Sequence, residues 1–501
     1  MQSTKLIITN KTALQQKYGD QHQAILNDLA ALQAFDGTRH LDTHIIFLDD
    51  AAQMQSLKAT AVTDPADEAQ NKQAIDELYA FFSPGYILIA GAQDIVPFQR
   101  LKNMLSGDTD PDTFIPSDMP YACDAPYDKD PGKFVSPTRV VGRLPDVPAQ
   151  NDPAYFHSLV QDIINIKSLP QSEYRSYFSI STFDWQDSTQ HSLRNIFGDN
   201  SALRIVPGTP DIDGHNWTVQ QLMPKTHFIN CHGAIYNAGY YGQKSYDFPL
   251  AMQSDTITGK ISSGTVVAAE CCYGGQLYDP SKNISKLMSM ANSYLLNHAI
   301  AFVGSTNIAY GPSTGQGLAD LLTQYFVINV LNGASTGRAM LEARQKFLNE
   351  MGPTLDPYEL KTAAQFNLFG DPSLQPVINE KDPATDIMSK SFVNSVQNRR
   401  DNLEARGKIL DTFISAPQPA DESHTTDPGV QDAMHSLLSE KQYGKSLPKV
   451  FVAKKEEATP SVKFHVFSEP VKATNNAPAS RALVVKEKNN QILGYREYVS
   501  R

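Results

Sequence analysis

Cysteine is scarce in this chain, four in 501 residues, and two of the four are neighbours. So small and uneven a set cannot form the disulfide framework of a small secreted domain. Cys271 and Cys272 could hardly bridge to each other without strain. Basic charge is short as well: 43 Lys and Arg stand against 54 Asp and Glu, a net charge of −11. A protein that grips a nucleic-acid backbone needs clustered cations, so nucleic acid is not an expected partner. No apolar stretch approaches the roughly 20 residues of a membrane-spanning helix, and no membrane partner is expected. The opening Met1–Asn10 reads as a strand and lacks the apolar core of a secretory signal. The expected location is cytoplasmic as the sequence is written, with export by a route that needs no cleavable signal as the other option.

What is present suffices for real cores. Hydrophobic residues make up 41% of the chain, within the globular range, and the length implies two or three domains. Short apolar runs at 5–9, 44–48 and 86–90 alternate with helical periodicity at 21–32 and 72–82, the pattern of parallel α/β structure. Residues 1–165 read as a first α/β unit and 166–380 as a second. Within the first, 101–137 is a polar excursion carrying Asp108, Asp110, Asp112, Asp118, Asp124, Asp128 and Asp130. Such acids invite calcium, but no calcium-loop spacing is recognisable, and a solvated acidic loop is the plainer reading. Residues 381–445 form a polar linker or helical segment. From 446 to 501, alternating runs predict a small β-rich extension, its last two strands joined at Lys488-Asn-Asn-Gln491.

Two phrases in the second unit carry chemistry. Thr226-His-Phe-Ile-Asn-Cys-His-Gly233 and Thr265-Val-Val-Ala-Ala-Glu-Cys-Cys-Tyr-Gly-Gly275 are each an apolar run that stops at a reactive side chain followed by glycine. Runs without polar alternation fit strands buried on both faces, and open α/β sheets hold their ligands at the carboxyl ends of strands. His232 and the pair Cys271–Cys272 thus stand at two strand ends. That is the minimum for thiolate catalysis, in which an imidazole takes the thiol proton and later protonates the leaving amine. Strand alternation lets only one of the two cysteines face the site. A zinc site from Cys231, His232, Cys271 and Cys272 is disfavoured because adjacent ligands chelate a tetrahedral ion poorly. No metal is assigned.

Strand-His-Gly followed by strand-Glu-x-Cys-x-Gly resembles the caspase-like cysteine peptidases of clan CD. Tyr86-Ile-Leu-Ile-Ala-Gly-Ala-Gln-Asp-Ile-Val-Pro97, Thr138-Arg-Val-Val-Gly-Arg-Leu-Pro145 and Phe366-Asn-Leu-Phe-Gly-Asp-Pro-Ser-Leu374 narrow the resemblance to the gingipain-like family. It extends over residues 1–375. The resemblance implies α/β architecture: two caspase-like α/β/α subdomains with mainly parallel sheets, followed here by the β-rich extension. It implies a cysteine endopeptidase acting on protein or peptide substrates, with no required cofactor and with calcium admissible.

The same resemblance distributes roles. Cys272 becomes the nucleophile and His232 its proton-transfer partner, leaving Cys271, Cys231 and Cys123 structural. The N–H groups of Gly233 and Cys272 form the oxyanion hole, and Gly233 and Gly274 leave room for the scissile carbonyl. Glu173 resembles in position the acid that orients the histidine. In Ser181-Thr-Phe-Asp-Trp-Gln-Asp187, Asp184 and then Asp187 are the acids expected to bind a basic side chain, with Glu270 also among the substrate-binding residues. Cleavage after Arg or Lys follows, with Arg399-Arg400 and Arg406 as self-cleavage points. Two other functions share these motifs: a non-catalytic regulatory or binding protein with the caspase fold, and a thiol acyltransferase or transpeptidase that passes the thioester to an amine.

Overall fold

Apolar runs bounded by glycine and polar turns become strands when helices cover both faces of the sheet they enter. The computed structural model describes residues 3–209, 214–378, 390–420, 426–444, 447–453, 461–471 and 479–501. The first half supplies β1 (Ser3–Thr9), β2 (Leu41–Phe47), β3 (Tyr86–Ala90), a short hairpin of β4 (Gln99–Lys102) and β5 (Phe114–Ser117), and β6 (Val141–Leu144). The second supplies β7 (Tyr177–Thr182), β8 (Leu203–Val206), β9 (Thr226–Asn230), a hairpin of β10 (Gly239–Tyr241) and β11 (Leu250–Gln253), β12 (Thr265–Ala269), β13 (Ala299–Ser305), β14 (Tyr310–Pro312) and β15 (Phe366–Gly370). Beyond them come β16 (Pro417–Pro419), β17 (Lys449–Ala453), β18 (Val462–Pro470), β19 (Ser480–Lys488) and β20 (Gln491–Ser500).

The sheets of the two α/β halves join edge to edge into ten strands in the order β2-β1-β3-β6-β15-β13-β12-β9-β7-β8. Pairing is parallel except between β13 and β15, while β15 runs parallel to β6. The two halves therefore point their strands in opposite directions, and only the second half aims its carboxyl ends at the His232 and Cys272 loops. Lys5 on β1 locks the seam: its buried ammonium lies 2.8 Å from Asp36 and 2.5 Å from Asp371, the acid just after β15. Buried charges survive when paired on both sides in this way.

The last strands form a six-stranded antiparallel sheet in the order β14-β20-β19-β18-β17-β16. Its first member, β14, belongs to the second α/β half, so the extension is stitched to that half by backbone pairing. Alternation in β19 shows both faces in use. Ala482 and Val484 join the main core, whereas Leu483 and Val485 pack with Val430, Met434 and Leu438 of the helix Pro428–Glu440. The β19–β20 turn sits at Asn489 and Asn490, with φ of 52° and 57°, the left-handed pair that a two-residue hairpin needs.

Two expectations are corrected here. Arg399, Arg400 and Arg406 lie within the helix Lys390–Phe413. An endopeptidase groove takes extended backbone, so these points would have to unwind before cleavage. The acidic excursion is not a solvated loop either. Asp118 forms a buried pair with Arg143, Asp110 a buried pair with Lys361, and Asp124 pairs with Arg139.

Candidate active site

β9 and β12 are parallel neighbours in register from Val266↔Thr226 to Ala269↔Ile229, so their carboxyl ends bring His232 and Cys272 to one edge. Gly233 lies so close to the Cys272 carbonyl that a Cβ would overlap it. Glycine is required there because the two loops touch, a different reason from room for a substrate. After Cys272 the chain turns through Tyr273 at φ 53°. The turn is held by Tyr273 N–H on Asn307 O (2.9 Å) and Gly275 N–H on Ser305 O (2.7 Å).

The adjacent cysteines face apart. Cys271 stands beside Cys231, Tyr240 and Tyr294, and burial pushes its thiol far up. The Cys272 thiol donates to Ala309 O at 3.5 Å, and burial pushes it up to about 12. His232 sits between the rings of Trp185 and Phe248, with centroids 4.3 and 5.2 Å away. Burial lowers its pKa to about 4, and the positive charge of Arg501 adds to the shift. Its Nε2 is 2.6 Å from Gln243 Oε1. The Gln243 amide in turn donates to Ser245 O at 3.1 Å. That bond turns Oε1 toward the ring, so Nε2 carries the proton and Nδ1 keeps its lone pair.

Gln243, which no sequence signal marked, thus fills the place expected for Glu173. Glu173 is exposed and precedes β7, whereas His232 follows the carboxyl end of its neighbour β9. The length of the strand, roughly 17 Å, separates them. Asp184 and Asp187 are exposed as well; Asp184 faces Lys244 and the Ser245 backbone. Trp185 and Ser188, at the start of the helix Gln186–Phe197, face the site instead.

The cleft beside Cys272 holds β20. Tyr310, Gly311 and Pro312 of β14 pair antiparallel with Ser500, Val499 and Tyr498. Arg501 N–H donates to Ala309 O at 2.9 Å, and the N–H of Cys272 donates to Arg501 O at 3.0 Å. The Arg501 side chain is fully buried. Its Nη2 donates to both carboxylate oxygens of Asp320, at 2.9 and 3.1 Å. The guanidinium lies 4.6 Å from the Trp185 ring, and on Gly311 a Cβ would strike it. Asp320 also accepts from Ser188 Oγ (3.2 Å) and from Gly317 N–H (3.3 Å). Behind it lies Glu270, buried and receiving the Thr323 hydroxyl at 3.4 Å. Burial, then the Asp320 charge, raises the Glu270 pKa well above the carboxylate range.

The sequence profile of peptidase family C25 matches residues 3–377. The chain belongs to peptidase family C25. It is a cysteine peptidase, a hydrolase whose substrates are proteins. The family match takes in both the His232 and Cys272 phrases and stops before β16, so the strand in the cleft comes from outside the matched region. No curated protein matches the sequence, and no described helix is long and apolar enough to cross a membrane.

In this family C25 chain the loops that carry the site rest on a buried ion cluster. Lys361 pairs with Asp110, and Asp112 lies 4.0 Å away. Asp110 receives the Tyr310 hydroxyl at 3.0 Å, while Asp112 receives the Tyr273 hydroxyl at 2.9 Å and Ile308 N–H at 3.0 Å. Of the acids that invited calcium, Asp110 and Asp112 are thus engaged by a lysine, two tyrosines and backbone. Among the described residues no three or more His, Cys, Asp or Glu converge as a metal cage.

Proposed function

We propose that this family C25 chain is an endopeptidase that cleaves after arginine through a thioester on Cys272. The observation that carries the reading is the seat of Arg501: an extended strand whose carbonyl meets the Cys272 N–H while its guanidinium meets Asp320. A substrate bound in that register puts its scissile carbonyl at the nucleophile and its basic side chain in the Asp320 pocket. This reading moves the specificity acid from Asp184 to Asp320.

The steps follow from the neighbours. His232 takes the Cys272 proton, and the sulfur attacks the carbonyl carbon. The Cys272 N–H, with Gly233 beside it, receives the developing oxyanion, a term worth several kcal/mol when donors are preorganised (about 3 per donor). The carbon–nitrogen bond breaks as the imidazolium protonates the leaving amine. Water, deprotonated by the same imidazole, then attacks the thioester and releases the arginyl carboxylate. Gln243 fixes the ring so that Nδ1 is the free nitrogen. The slot between Trp185 and Gly311 is flat and fits a planar guanidinium better than an ammonium, which favours arginine over lysine.

Fluorogenic peptides with Arg, Lys, Asp, Asn or Leu before the scissile bond test this with the parent chain, Cys271→Ala and Cys272→Ala. Turnover of arginyl peptides that survives Cys271→Ala and vanishes in Cys272→Ala is expected. Turnover after Asp or Asn would overturn the pocket assignment, and turnover that vanishes only in Cys271→Ala would overturn the nucleophile.

A further inference from the structure

We infer that β20 is a tethered, substrate-like inhibitor: this strand, with the Arg501 that follows it, fills the substrate groove and keeps the peptidase latent until it is displaced. The inference rests on the proposed arginyl-peptidase reading and adds what controls that site.

Four observations converge. The strand enters by edge addition to β14, with Ser313 N–H on Glu497 O (3.0 Å) extending the ladder that Arg501 N–H on Ala309 O completes. Peptide substrates commonly bind by this kind of strand addition. Its terminal side chain carries the charge that the buried Asp320 calls for. With the strand seated, Cys272 and His232 have essentially no accessible surface, so no second peptide can reach the sulfur. It is also anchored outside the pocket. The Tyr498 hydroxyl donates to Asp356 Oδ2 at 2.7 Å, and Arg496 pairs with Glu359.

These anchors make the occupancy intramolecular. A tethered ligand acts at an effective concentration in the millimolar range, so even a weak affinity keeps the groove filled. The occupied site is also chemically quiet, because a desolvated thiol and a desolvated imidazole both stay neutral. Release of the strand admits water and lets the pair ionise.

Arg501→Ala in the full chain tests this, because it removes the pocket contact that seats the end of the strand over Cys272 and leaves only the anchors of Tyr498 and Arg496 to hold it. The expected result is a rise of about tenfold or more in arginyl-peptide turnover, with faster alkylation of Cys272 by iodoacetamide. A peptide of sequence Glu-Tyr-Val-Ser-Arg added to Arg501→Ala should restore competitive inhibition, and the same peptide ending in Ala should not. Equal turnover and equal alkylation in the parent chain and Arg501→Ala would overturn the inference and leave the peptidase reading intact. Inhibition of the parent chain that fades on dilution would assign the strand to a second copy and overturn the cis arrangement. If neither chain turns over arginyl peptides or reacts at Cys272 with an arginyl chloromethyl ketone, the arginyl-peptidase reading fails and the inference with it.

Discussion

Arg143 and Arg501 are both buried, both face an aspartate with a two-point contact, and both lie over an aromatic ring. Arg143 gives Nε and Nη2 to the two oxygens of Asp118 (2.9 and 2.6 Å) and Nη1 to the carbonyls of Gly91 and Val96 (3.0 and 2.7 Å). Its guanidinium sits 4.3 Å over Phe98. Arg501 reaches Asp320 through Nη2 alone, and its Nε and Nη1 have no protein partner among the described residues. A buried donor left unpaired costs about 1–3 kcal/mol. A side chain that never leaves is given a partner for each donor; a side chain that must come and go is held by one edge. The contrast marks Arg143 as part of the scaffold and Arg501 as an occupant.

The largest expected difference follows directly. Asp118→Ala strands a permanent cation in the core and should cost about 3–5 kcal/mol in a denaturant titration. Asp320→Ala lets Arg501 withdraw to solvent and should cost only about 1 kcal/mol, chiefly the helix cap it supplies at Gly317. Equal losses would break the comparison.

The buried histidines offer a second version of it. His227 is bonded at both ring nitrogens, to the Tyr294 hydroxyl (3.0 Å) and to the carbonyls of Leu222 (3.2 Å) and Pro224 (3.0 Å); burial lowers its pKa to about 4, as it does for His232. A histidine whose folded pKa lies below its unfolded value near 6.5 contributes stability in full above that pH. The contribution falls away between 6.5 and 4, by about 3 kcal/mol per group. Unfolding midpoints should therefore drop across that window. In Arg501→Ala, an NMR titration should show His232 moving up toward 6.5 while His227 stays low; a concerted shift of both would contradict the distinction.

Added to Arg501→Ala, Gly311→Ala, which places a methyl where the guanidinium lies, should lower kcat/KM for arginyl peptides by about tenfold, as loss of an aligned charged hydrogen bond implies, with little change in thermal midpoint. The smallest effect expected is that of Asp184→Asn, within about twofold in the same assay, because an exposed pair contributes little.

Much of this was legible before any coordinates. The apolar runs that end at His232 and Cys272 had to be buried parallel strands, and parallel neighbours place their carboxyl ends together. The Asn489–Asn490 hairpin was legible for a local reason, the left-handed backbone its turn requires. Glu173 could have been set aside by polarity, since a residue before a parallel strand lies at the wrong end of the sheet. Asp184 and Asp187 are exposed because the turn that brings the Trp185 indole inward sends its acidic neighbours outward. Asp320 was hidden in the first turn of the apolar helix Leu318–Leu331, where an acid reads as a cap. Gln243 and the path of β20 depend on contacts between segments far apart in the chain, which no periodicity encodes.

The central claim is that the pocket filled by Arg501 is the specificity pocket for substrate. Its most direct test is the ratio of kcat/KM for an arginyl peptide to that for its leucyl counterpart, measured in Arg501→Ala and again with Asp320→Asn or Asp184→Asn added. The account predicts that Asp320→Asn lowers the ratio by about 100-fold, the scale of a lost buried charge pair, and that Asp184→Asn leaves it unchanged. A ratio that collapses with Asp184→Asn and survives Asp320→Asn would contradict it.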